Sequence, residues 1–126
     1  MPVNNFLRIH VDKIFMLAAI TAGLVAIYHV RYAGITQEAV MRRHMVFAGI
    51  NLVLIFLFLK RPSWFIILFA VLTIQQLYSH GSRFIRYLSK NEIDWISGGV
   101  IIFMPFLLYL LILENRSKKK YRILNH

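Results

Sequence analysis

The stretch WISGGVIIFMPFLLYLLIL, Trp95–Leu113, runs for nineteen residues without a charged side chain. A helix that crosses a bilayer needs roughly 17–25 mostly apolar residues, whereas a run of 10–14 suits a buried helix of a soluble protein. This stretch satisfies the first requirement and is too long for the second. Its Gly98-Gly99 pair and Pro105 are compatible with a membrane helix, where small residues permit close packing and proline is tolerated.

Working outward, three more apolar blocks precede it: IFMLAAITAGLVAIY (Ile14–Tyr28), MVFAGINLVLIFLFL (Met45–Leu59) and WFIILFAVLTI (Trp64–Ile74), the last prolonged by a polar end to Tyr78. Each reaches spanning length once its flanking cations snorkel to the interface. The whole chain of 126 residues is 59% hydrophobic and 16% charged, with a mean hydropathy of +0.62. Four oily blocks joined by short polar links leave too little polar sequence to cover a soluble bundle. The expected fold is therefore an all-α integral membrane protein, a single domain with four transmembrane helices in an antiparallel bundle. Its spans fall near residues 13–30, 44–60, 63–80 and 94–114, followed by a basic tail over 115–126. Arg8 and Lys13 ahead of the first block imitate a secretory signal, and the expectation is an uncleaved signal-anchor that forms the first span.

The links differ in kind. Lys60-Arg61-Pro62-Ser63 reads as a tight turn, since proline ends one helix and suits the first turn of the next, so blocks two and three are expected to pair as a hairpin. After the third block, Phe84, Ile85 and Leu88 interleave with Arg83, Arg86 and Lys90 at helical spacing, which predicts a short interfacial amphipathic helix between the third and fourth spans.

Charge sets the expected orientation. With four spans both termini share one side, which carries nine cations against six on the other, and the positive-inside rule then places both termini in the cytoplasm. The net charge of +10 does not predict nucleic-acid binding, because the cations sit at helix ends and not along one soluble face. Their natural partners are the bilayer and its anionic headgroups. Cysteine is absent, which excludes disulfides, thiolate metal sites and cysteine nucleophiles.

Polar residues concentrate at one predicted membrane face. His29 ends the first span, His44 begins the second, His80 ends the third and Asp94 begins the fourth, each on a stripe with small or polar neighbours. Asn51, Gln76, Arg83 and Ser97 extend the cap along those stripes. Three histidines and a carboxylate suit a transition metal such as zinc, copper or iron. Against a metal, no two histidines are spaced i, i+4 on one helix and no HExxH pattern occurs. The same residues suit proton handling or anion binding. They also suit plain interfacial anchoring, with Asp94 as the N-cap of the last helix and Asn51 as an interhelical hydrogen-bond donor.

No hydrolase, kinase or dinucleotide motif is present. The favoured expectation is a non-catalytic membrane subunit or homo-oligomer whose polar cap serves ion or proton passage or the docking of a larger membrane complex. The alternative is a self-contained metal- or small-molecule-binding site, extending to a metal-dependent enzyme, built from His29, His44, His80 and Asp94.

Overall fold

The computed structural model describes residues 5–124, with side chains over 10–119. It is all-helical among the described residues: α1 (Asn5–Ala33), α2 (Glu38–Lys60), α3 (Phe65–Leu88) and α4 (Trp95–Leu124). All four helices contain a stretch long and apolar enough to cross a membrane.

The helices overrun the apolar blocks, most of all at their polar ends. Helical hydrogen bonding stops at backbone breakers, not where hydropathy falls. Between Ala33 and Glu38 the break is the GITQ link, where the Gly34 amide donates to Val30 O at 3.3 Å and Gln37 turns extended with ψ 154°. Between Leu88 and Trp95 it is a turn in which Asn91 takes a left-handed φ of 58° and Glu92 N donates to Tyr87 O at 3.0 Å. Asparagine is one of the few residues that visits this region readily. No such breaker lies between Tyr78 and Leu88. The segment expected to form a separate interfacial helix is instead the last turns of α3, with Ser82 Oγ donating to Tyr78 O at 2.7 Å along the way. At the other end of the chain α4 continues through Pro105 and well beyond Leu113, into the basic segment.

The chain divides into two compact units, one ending at Arg61 and the other beginning at Pro62. Each is a helical hairpin, α1 with α2 and α3 with α4. The Lys60–Ser63 turn, expected to close a hairpin, is the boundary between the two units. Pro62 disfavours a helical conformation for the residue before it. Arg61 takes φ 45° and ψ 57°, and its amide donates back to Leu57 O at 2.8 Å, which closes α2.

In the first hairpin the α1 seam is Phe15, Ala19, Ala22 and Ala26, all buried, with His29 half-buried and Ala33 buried beyond it. These positions alternate by four and three residues, the spacing of a helix-contact stripe. Alanines there let the partner backbone come close; a Cβ on Gly23 would stand 3.6 Å from Ile55 Cδ1, ordinary contact. Near the start of α1, Phe15 meets Phe58 near the end of α2 with ring centroids 6.1 Å apart, so the second helix folds back along the first. The second hairpin buries Phe65, Phe69 and Thr73 of α3 and Ser97, Leu107 and Leu111 of α4. Thr73 satisfies its hydroxyl on Phe69 O at 2.7 Å, so this buried polar residue stays within its own helix.

Most of the remaining apolar surface faces outward. Only 17–22% of each apolar window is buried, and Ile67 (73%), Ile102 (70%) and Leu24 (63%) are exposed. A water-soluble monomer rarely shows contiguous apolar patches beyond a few hundred Å². In hydrocarbon the same surface is the normal state of a helix.

Candidate functional site

At the link end of the first hairpin, His29 of α1 and His44 of α2 turn their Nδ1 atoms toward one another at 2.8 Å. The pairing follows from the short 34–37 link, which sets residues equidistant from the turn side by side. Aromatic rings surround the pair. His29 stacks on Phe47 at 5.4 Å and meets Tyr28 edge-on at 5.4 Å, while Tyr32 lies 5.8 Å from His44. A neutral imidazole offers one N–H and one lone pair. Two Nδ1 atoms at hydrogen-bond distance must therefore share one hydrogen, with one ring donating and the other accepting.

At the link end of the second hairpin a longer chain of contacts ties α3 to the start of α4. Asp94 sits just before α4, and the Ser97 amide donates to its Oδ1 at 3.2 Å, the geometry of an N-cap. Ser97 Oγ also donates to Asp94 Oδ2 at 2.7 Å. Arg83 Nε reaches the same Oδ2 at 3.0 Å, and its guanidinium lies 5.7 Å from the Tyr87 ring centre. His80 Nδ1 stands 3.0 Å from Ser97 Oγ, and Ser97 is fully buried. The hydroxyl and amide of Ser97, together with the Arg83 charge, hold the Asp94 carboxyl below the usual carboxylate range. It is thus ionised at neutral pH and can only accept.

Proton counting fixes the direction of this chain. Ser97 has one hydroxyl hydrogen, and the carboxylate takes it. The His80 contact must then run from Nδ1–H to Ser97 Oγ, which leaves Nε2 as the free ring nitrogen. In a serine-hydrolase triad the histidine accepts the serine proton and the carboxylate holds the histidine. Here the serine stands in the middle and the histidine donates to it, so Ser97 is not activated as a nucleophile. The arrangement ties helices together.

The expected site residues thus enter two groupings, His29 with His44 and His80 with Ser97, Asp94 and Arg83. Among the described residues no group of three or more His, Cys, Asp or Glu side chains is placed to hold a metal ion. Asn51 does not bond across helices: its Nδ2 donates to Phe47 O of its own helix at 2.8 Å. Gln76 Nε2 donates to its neighbour Gln75 Oε1 at 2.8 Å.

Sequence reasoning missed the clamp at the other end of the first hairpin. Arg61 forms an ion pair with Asp12, and its guanidinium lies 5.0 Å from the Phe15 ring centre. One signal for it existed: the chain has only five acidic residues, and Asp12 stands beside the first apolar block, where an unpaired carboxylate is costly. The packing of Tyr28, Tyr32 and Phe47 on the histidines likewise became visible only in three dimensions.

Comparison with protein-family models, with curated proteins and with solved structures finds no match for this chain.

Proposed function

We propose that this chain is a multi-pass membrane protein that crosses the bilayer four times, in alternating directions and with both termini in the cytoplasm, and that it acts as a non-catalytic helical subunit. The observation that carries the reading is the combination of outward apolar surface and inward polar bonding. Each helix leaves most of its apolar window uncovered, while the ionisable side chains near the links bond to one another within each hairpin. A catalytic centre would present a nucleophile or base toward a substrate. His29, His44, His80 and Arg83 are instead spent on holding helix to helix or helix to link.

The uncovered faces fit lipid and the helices of other membrane subunits, including further copies of the chain. The basic ends fit anionic headgroups, at about 1 kcal/mol per Lys or Arg near the surface. No observation favours the metal-centre alternative.

The natural absence of cysteine makes the test clean. Single-cysteine variants Thr36→Cys, Ser63→Cys and Asn91→Cys, made in the full chain and expressed in cells, are labelled with a membrane-impermeant maleimide. Positions 36 and 91 should label from outside the cell and position 63 only after permeabilisation. Release of the chain from membranes by alkaline carbonate would refute membrane spanning. Labelling of positions 63 and 91 from the same side would refute the four-crossing topology.

A further inference from the structure

We infer that the His29–His44 contact is a one-proton site: it closes the link end of the α1–α2 hairpin while a single hydrogen bridges the two rings, and it opens when a second proton binds. The argument is one of hydrogen counting. With both rings neutral, one carries its hydrogen on Nδ1 and donates; the other carries it on Nε2 and accepts at Nδ1, 2.8 Å away. The first added proton goes to the free Nε2 of the donor ring. The bridge survives and becomes a charge-assisted bond, stronger than the neutral one. The second proton has one remaining lone pair to occupy, the accepting Nδ1 itself. Two N–H groups would then point at each other, and the bridge must break.

Neither of the charged groups acting on His29 is a carboxylate. The rings lie 5.1 Å apart between centroids, so two imidazolium charges repel at close range. Arg43 is the other charged group acting on His29, and it is a cation. Tyr28 and Tyr32 of α1 and Phe47 of α2 supply rings but no carboxylate. The 34–37 link, GITQ, has no ionisable side chain. The bonded pair therefore contributes fully above the pH of the second protonation and is lost as pH falls through it.

The second hairpin supplies an internal contrast. His80 uses Nδ1 as a donor toward Ser97, so a proton arriving at Nε2 leaves that bond in place. Beyond Ser97 the Asp94 carboxylate provides a counter-charge. Two histidine contacts in one chain should thus respond oppositely to acid, one releasing and the other persisting.

The test uses the full chain in lipid nanodiscs, taken from about pH 8 to about pH 4, either side of the ordinary histidine value near 6.5. Spin labels at Val30→Cys and Met41→Cys report the first hairpin, and labels at Ile85→Cys and Ile93→Cys report the second; all four residues are exposed. On acidification the 30–41 distance distribution should lengthen and broaden, and the 85–93 distribution should stay unchanged. His44→Gln should abolish the acid response while keeping the hairpin closed, because an amide pairs with either protonation state of His29. An unchanged 30–41 distribution in the wild type, or an acid response that persists in the His29→Gln/His44→Gln double variant, would overturn the proposal. Ring-¹⁵N spectra of the unsubstituted chain decide the matter if a variant does not fold. The accepting Nδ1 should lose its pyridine-type resonance on acidification, and a bridged pair retained at about pH 4 would count against the site. None of these readouts depends on the number of membrane crossings, so failure here is separable from failure of the topology.

Discussion

Replacing Gly98 with alanine and, in a second variant, Gly99 with alanine sets two forces against each other at adjacent positions of α4. In a helix interior alanine is favoured over glycine by about 1 kcal/mol. Both substitutions collect that gain. A Cβ at Gly99 meets nothing within 4 Å, so Gly99→Ala should stabilise the chain by about 1 kcal/mol. A Cβ at Gly98 would stand 3.3 Å from Phe84 Cε2, closer than ordinary contact. Phe84 is half-buried on α3, so its ring must shift or the helices must part beside Ser97. Overpacking of this kind costs about 1–3 kcal/mol. Set against the helix gain, Gly98→Ala should come out between neutral and about 2 kcal/mol destabilising. The two variants should therefore differ by about 1–3 kcal/mol, in a pair of substitutions identical in composition. Equilibrium unfolding of the purified chain by SDS titration in mixed micelles, followed by circular dichroism, measures the gap. Equal stabilisation by both substitutions would refute the claim that Gly98 exists to admit Phe84.

Ser97→Ala removes the only acceptor seen for His80 Nδ1 within the α3–α4 hairpin, and an orphaned donor there should cost about 1–3 kcal/mol in the same unfolding assay; Asn51→Leu, which breaks only a bond within its own helix, should cost less. Arg61→Ala and Arg61→Gly both delete the contacts to Asp12 and Phe15, but alanine must hold the left-handed φ of 45°. The glycine variant should be the more stable by about 1–2 kcal/mol, and equal stabilities would show that the backbone at Arg61 is not strained. Because the Asp94 carboxyl titrates below its ordinary value of 3.8, its stabilising contribution is complete above that pH and is lost only as pH falls through the lower, folded-state value. The 85–93 spin-label distance should thus hold on acidification to about pH 4, and an earlier opening would contradict the Ser97–Asp94 geometry.

Much of the fold was legible because the decisive signal was one of composition. Trp95–Leu113 needs no periodicity argument: an uncharged run of that length has few solutions. Helix ends were harder. Hydropathy drops at Tyr78, yet the backbone has no reason to stop before the Ser89–Asn91 turn, and the expected separate helix proved to be a continuation of α3. The polar residues were found by position and misjudged by partner. His29, His44, His80 and Asp94 were each recognised as lying near the end of an apolar block. Sequence spacing alone could not say that His29 meets His44 or that Ser97 mediates between His80 and Asp94. Asn51 illustrates the same limit, since an amide in an apolar helix can bond across to a neighbour or back to the carbonyl four residues earlier.

The amino-acid order by itself determined that this chain forms long apolar helices, how many there are, and that cysteine chemistry plays no part. Those properties follow from local composition summed over some twenty residues at a time, and they hold whatever packs against what. Tertiary structure alone decided which helices pair, that the Pro62 turn separates units, and which ring nitrogens of His29, His44 and His80 meet a partner. Those outcomes depend on the register between two helices, where a shift of one residue turns a side chain by about 100° and removes its partner. Hydrogen bonds require that partner within about 3 Å, a precision that no spacing along the chain can supply.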